Sequence, residues 1–257
     1  MLVVTPFLRA DPYIIKADSL FENRFVGFDT EKVMADSATV NKAIRLYRRA
    51  IDVNGLKYSK GEAIWKLLRA YYFKGNFTTN DLAEKQQIFN RGTEIGEKYI
   101  DQYPESVEMH CWLGILWGYW GEVHSSFAAA RKGVPGKVKD YAEKTIQLDD
   151  RYLDAGGYRM LGRLHFMVPK IPLVMGWPSK EKSLEFLRKA CTLAPDNLLN
   201  KLYLAETLHA TGNKDEAQLL LEEILNTGEI VHDIIVDTWV KKEAQRLMEK
   251  LFPANGE

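Results

Sequence analysis

The stretch SLEFLRKACTLAPDNLLNKLYLAETLHATGNKDEAQLLLEEIL, Ser183 to Leu225, decides the fold. Ser183, Leu187, Ala190 and Pro195 stand four, three and five residues apart. Leu204-Ala205, Leu208, Gly212, Ala217, Leu221 and Ile224 follow without an insertion. Two antiparallel helices approach closely only where one offers a small residue against a large one of the other. Ala205 and Ala217 are the small residues, and Leu204, Leu208 and Leu221 fill the space between. Gly212-Asn213 stands where the first helix must stop and turn, a place for positive φ. Pro195 ends the preceding helix, and Asp196 or Asn197 caps the next. One such pair cannot bury its own apolar face, so further copies are expected along the chain.

Working outward, Tyr13–Phe25 reads as a helix with Ile14, Ala17, Phe21 and Phe25 on one side, and Asp29–Asn54 as its partner. Glu62–Phe73 is the next first helix, with Arg69 where a small residue is usual, and Gly75–Asn80 reads as a loop. Asp81 then caps a long helix, with Glu84 three residues on. Gly92 and Gly96, one turn apart in it, predict a flat face for close packing. Glu105–Gly121 carries Leu113-Gly114 and a crowd of Trp112, Trp117, Tyr119 and Trp120. His124–Gly136 is an insertion that ends in a break at GVPG, and Asp154–Phe166 is a fourth first helix. Pro169, Pro172 and Pro178 keep Val168–Lys180 from being a helix, although Ile171, Leu173, Val174, Met175 and Trp177 are too apolar for an ordinary solvated loop. Ser179 caps the helix that carries Ser183, Leu187 and Ala190, and Ile230–Phe252 is an amphipathic terminal cap, apolar on one face only. The expectation is an all-α solenoid of antiparallel helical pairs over 13–252, with an N-terminal segment 1–12 and a tail 253–257.

The 257 residues carry 35 Lys plus Arg against 35 Asp plus Glu, so no general field draws the chain to nucleic acid or an anionic membrane. No stretch is long enough to span a bilayer, so no membrane insertion is expected. The start, MLVVTPFLRA, lacks a basic region and does not read as a signal peptide. Cytoplasmic residence is expected, with the bacterial periplasm as the alternative if a signal has been removed. Cys111 and Cys191 sit inside helical patterns, as small buried residues rather than a disulfide or zinc site.

The spacings in Ser183–Leu225 resemble the tetratricopeptide repeat, in which a first helix carries a large-then-small pair and a second carries small, large, small before a closing proline. The order WLGILWGYW (Trp112–Trp120), then Lys137–Phe166, then VPKIPLVMGWPSKEKSLEFLRKACTLAPDN (Val168–Asn197), is similar to two related groups of divergent tetratricopeptide proteins. One is the T-component of TRAP transporters, bacterial periplasmic proteins that work beside a substrate-binding protein. The other is the regulator of microtubule dynamics group. The likeness covers roughly residues 10–252 and its motifs are structural, so neither group implies a catalytic residue. The first implies a substrate-binding protein as partner and is usually lipid-anchored through an N-terminal cysteine, which this chain does not show near its start.

Enzyme motifs are not found. GVPGK (Gly133–Lys137) lacks the glycine spacing and the Ser or Thr of a phosphate loop, the five histidines do not pair at ligand spacing, and no nucleophile motif occurs. No cofactor or metal is expected. What remains is a surface. Read by register, the concave groove is lined by Lys66, Ala70 and Phe73, by Glu108, Cys111 and Ile115, by Arg159, Arg163 and Phe166, and by Leu202, Glu206 and His209. Arg159 and Arg163, one turn apart, either hold a carboxylate of a partner or pair internally with Glu206 or a similar acid. The tryptophans are core and inter-repeat packing in one reading, and in the other an aromatic pocket of Trp112, Trp117 and Trp177. A scaffold that binds a protein partner through this groove and the Val168–Trp177 loop is the first expectation. An accessory protein of the T-component type, holding or passing a small, partly apolar ligand, is the second. Partner identity and oligomeric state are not legible.

Overall fold

A computed structural model describes residues 11–53, 57–169, 176–228 and 233–253, with 57 and 58 as backbone only. Among them lie twelve α-helices: α1 (Pro12–Glu22), α2 (Ser37–Asp52), α3 (Lys57–Phe77), α4 (Leu82–Tyr99), α5 (Val107–Val123), α6 (Ser126–Arg131), α7 (Val134–Leu148), α8 (Tyr152–Met167), α9 (Lys180–Leu193), α10 (Leu198–Ala210), α11 (Lys214–Asn226) and α12 (Ile234–Leu251). Side-chain oxygens set the starts. Asp81 accepts from the Glu84 amide at 2.7 Å, Ser179 from the Lys182 amide at 3.1 Å, and Asn197 from the Asn200 amide at 2.9 Å. Gly212 takes φ 90 at the reversal between α10 and α11, where the sequence demands it.

Consecutive helices pack as antiparallel pairs, and α1, α3, α5, α8, α10 and α12 succeed one another along one side. The expected close approaches are present. A Cβ on Gly96 would meet Leu113 Cδ1 at 2.4 Å, and one on Gly92 would meet Leu116 Cδ1 at 3.0 Å. Gly162 of α8 similarly takes Leu187 of α9. Among the described residues no helix is long and apolar enough to cross a membrane.

Several element bounds differ from the sequence expectation, each for a local reason. The partner of α1 starts at Ser37, not Asp29. The Asp29 carboxylate takes the Glu31 and Lys32 amides at 2.9 and 3.0 Å, and its backbone exchanges hydrogen bonds with Met34, so 29–34 folds as a turn. Phe25 is not on the apolar face: α1 stops at Glu22, where Asn23 caps the Ser19 carbonyl, and Phe25 is 44% exposed. The Gly75–Asn80 loop is helical as far as Phe77, and Gly75 lets the helix pack against the Phe89 ring, whose Cζ stands 2.4 Å from where a Cβ would be. The fifth helix begins at Val107 because Ser106 is its cap. The 124–136 insertion contains α6 and the first turn of α7, which starts as soon as Gly133 takes φ 67. The expected loop Val168–Lys180 lies partly outside the described residues, 170–175 included.

One feature of the backbone has no counterpart in the sequence pattern. Leu153, Asp154 and Ala155 all hold positive φ, 52, 54 and 60, so the entry to α8 is a left-handed turn built without glycine. Such conformations cost about 1–2 kcal/mol per residue. Arg159 and Asn200 hold the turn: Arg159 Nη2 donates to the Leu153 carbonyl at 3.1 Å, and Asn200 Nδ2 to the Asp154 carbonyl at 3.0 Å.

The stack also closes on itself. Ile235 of α12 joins the same apolar core as α1, α3 and α5, with Val236 and Trp239 packed against it. Arg24, after α1, pairs with Asp233, the N-cap of α12, and Lys242 donates to the Glu31 carbonyl.

Candidate functional site

Closure turns the concave side into a cavity of about 890 Å³. Its wall comes from α1, α3, α5, α8, α10 and α12, with α6 and the start of α7 at one side; α2, α4, α9 and α11 contribute nothing to it. The first helix of each pair therefore faces inward, as the register requires. The wall is mainly apolar and rich in rings. Tyr72 lies 5.5 Å from Trp112, 5.4 Å from Tyr119 and 6.0 Å from Phe77, centroid to centroid. A second space of about 400 Å³, bordered by the 29–34 turn and Trp239, shares Phe77, Tyr119 and Glu122 with the first.

The cations of the wall are engaged by the protein itself. Lys66 Nζ reaches Asp18 at 2.6 Å and Glu62 at 2.5 Å. Arg69 lies over the Phe21 and Trp65 rings at 4.2 and 5.1 Å, and its Nε has no hydrogen-bond partner. Burial pushes the Arg24 guanidinium down, and Asp233 pulls it back up in part. Arg159 donates to Asn200 Oδ1 at 2.9 Å and to the carbonyls of the left-handed turn. Arg163 pairs with Glu206 and lies 4.5 Å from the Tyr203 ring centroid. Burial alone lowers the Arg163 guanidinium, but Tyr203 and Glu206 outweigh it and hold it above its ordinary value.

Glu122 is the exception. It makes no hydrogen bond or ion pair among the described residues, yet it lines both spaces. Its side chain is exposed and borders both spaces. Surrounding protein pushes its carboxyl above the usual range, Arg163 and Lys85 oppose this, and Glu206 adds to it. One turn earlier on the same face stands Gly118, where an added Cβ would meet nothing within 4 Å.

Of the residues expected from the sequence, Lys66, Phe73, Trp112, Arg159 and Arg163 line the cavity. Phe166, Trp177, Glu206 and His209 do not. Glu206 holds Arg163 from the neighbouring helix, Phe166 lies 5.6 Å from the Arg163 guanidinium, Trp177 stands edge-on to His165 at 5.1 Å, and His209 edge-on to Phe252 at 5.4 Å. Trp117 is buried away from the cavity with its indole N–H on Glu97 at 2.8 Å. Cys111 is fully buried, and burial pushes its thiol up to about 12. Register does not pick out Glu122, Gly118, Tyr72, Tyr119 or Tyr203 as site residues. The i, i+4 pair Gly118–Glu122, with Glu122 the one charged residue in the apolar run after His110, is the available signal.

A protein-family model described as Regulator of microtubule dynamics protein 1-3 matches residues 29–252. Among solved structures, a thermophilic TPR protein of Thermus thermophilus, TTC0263, is similar with a TM-score of 0.60 at 16% identity, over 92% of this chain and 97% of that one. The MamA protein aligns over 95% of this chain and 96% of its own at 16% identity and a TM-score of 0.49. A search of curated proteins finds no match. The first of these structures supports the tetratricopeptide-like all-α solenoid; the roles of individual residues rest on the geometry above.

Proposed function

The chain belongs to the family of regulator of microtubule dynamics protein 1-3, and from that premise we propose a non-enzymatic interaction scaffold that holds a segment of a protein partner on its concave face. The observation that carries this is the cavity itself: six helices from both ends of the stack converge on one preformed, ring-lined space. Preformed walls reduce the ordering cost of binding, and buried rings supply affinity. In this reading Phe73 and Trp112 contact the partner segment, and Lys66, Arg159 and Arg163 orient it. Glu206 and Phe166 support that wall by holding Arg163. Gly118→Leu tests it, because the new side chain enters open space instead of a neighbouring helix. Cross-linking in source cells followed by mass spectrometry is expected to lose a specific partner with this variant. Unchanged cross-links would sink the reading.

The size of the space favours a second reading, an accessory protein of the T-component type that holds a small, partly apolar ligand, with Trp112 in the wall. About 300–1,000 Å³ is the usual scale of small-molecule sites, and this one is about 890 Å³. Native mass spectrometry of protein purified gently from its source tests it. A stoichiometric organic adduct absent from Gly118→Leu supports the reading; a bare wild-type mass in every preparation counts against it.

A further inference from the structure

We propose that the cavity takes a ligand with a cationic ammonium group on an apolar body, and that Glu122 receives the ammonium in the space left open beside Gly118. This deepens the small-ligand reading and rests on it.

Three observations meet at this point. First, Arg24, Lys66, Arg159 and Arg163 of the wall are each paired with a group of the protein, and Arg69 lies over two rings with its Nε unpartnered, whereas Glu122 has no hydrogen-bond or ion-pair partner among the described residues. An anionic ligand would have to displace internal partners at four of these five cations. A cationic one meets a carboxylate that is waiting for it.

Second, the surroundings suit an organic cation. Tyr72, Tyr119 and Tyr203 line the same space as Glu122, with Trp112 against Tyr72. Ring faces attract a poorly hydrated ammonium, and more strongly where water is excluded. The charged groups that face Glu122 are Arg163 from α8, Lys85 from α4 and Glu206 from α10. Arg163 is held by Glu206 and lies over Tyr203, and its remaining pull favours the ionised form of Glu122 that an ammonium needs.

Third, Gly118 has no packing reason to be glycine. Gly114 and Gly121 of the same helix take Met160 Sδ at 3.0 Å and Val134 Cγ1 at 3.3 Å, whereas nothing lies within 4 Å of a Cβ on Gly118. A glycine inside a helix costs about 1 kcal/mol against alanine. Here what it preserves is the volume in front of Glu122.

The test is isothermal titration calorimetry of the full chain with octylammonium, octanol and octanoate, three probes that share an apolar body. Octylammonium is expected to bind about tenfold more tightly than octanol, the scale of one charge-assisted contact, and octanoate more weakly than both. Glu122→Gln is expected to remove the preference for octylammonium and keep octanol binding. Gly118→Leu is expected to remove both. If octanol binds but octylammonium gains nothing, or Glu122→Gln leaves the preference intact, the proposal is overturned and the small-ligand reading survives. If none of the three binds wild type, both fall together.

Discussion

Arg24 and Asp233, 209 residues apart in sequence, form an ion pair that joins the turn after α1 to the first turn of α12. The same carboxylate caps α12, accepting the Ile235 amide at 2.9 Å, so one side chain both starts the last helix and ties it to the first. Asparagine caps as well as aspartate, which lets Asp233→Asn remove the charge and keep the cap. Both partners are about one-fifth exposed, so the loss is expected near the upper end for surface pairs, about 1 kcal/mol. Hydrogen exchange is expected to accelerate in α12 and around Arg24 while α4, α5 and α7 keep their protection. Uniform acceleration along the chain would show that the pair supports general stability instead of closure.

The glycines divide into two classes with opposite expected effects. Gly96 and Gly162 each have a leucine Cδ or Cγ where their own Cβ would stand, at 2.4 Å. Alanine at either forces two helices apart and is expected to cost about 1–3 kcal/mol. Gly118 faces open space, so Gly118→Ala is expected to gain up to about 1 kcal/mol from helix propensity. Thermal unfolding followed by circular dichroism reads all three, and a loss at Gly118 would contradict the open space in front of it.

This contrast shows what the sequence made legible. The helical pairs came through because small and large residues recur at fixed spacing, as at Ala205, Leu208, Ala217 and Leu221, and all four are buried. Register likewise placed Lys66, Phe73, Arg159 and Arg163 on the inner face. The closure between Arg24 and Asp233 left no trace, since a pair of ordinary charges far apart in sequence has no periodicity. The same limit hid the difference between Trp112 and Trp117. Both are buried, but only the superhelix decides that one borders the cavity and the other meets Glu97.

Glu122 makes stability depend on pH with a defined sign. Its folded-state carboxyl sits above the ordinary glutamate value because protein crowds it, despite Arg163 and Lys85 nearby. The folded chain therefore binds its proton more readily than the unfolded chain, and ionisation on raising the pH through the folded value destabilises the fold. Glu122→Gln, uncharged throughout, is expected to raise the unfolding midpoint at pH 7.5. The advantage is expected to shrink towards zero below pH 4.5, the ordinary value, where the acid is protonated in both states. An advantage that stays constant across this range would assign the effect to shape instead of charge.

Arg159 and Arg163 stand one turn apart and face the same cavity, but the structure gives them unequal work. Arg159 is 8% exposed and satisfies Asn200 and two carbonyls of a turn in which three residues hold positive φ. Without the guanidinium, buried acceptors lose their donors and the turn loses its clamp. Lysine cannot replace a planar fork that reaches three acceptors at once. Arg159→Lys is expected to cost about 2–4 kcal/mol in urea unfolding. Arg163 and Glu206 are each about one-quarter exposed, so Arg163→Ala is expected to cost about 1 kcal/mol. A loss of binding in a variant carrying both Arg159→Ala and Arg163→Ala would therefore confuse a damaged turn with a damaged groove. Arg163→Ala alone, with Gly118→Leu beside it, separates the two. If the order of stability losses were reversed, the left-handed turn would owe its conformation to something other than Arg159.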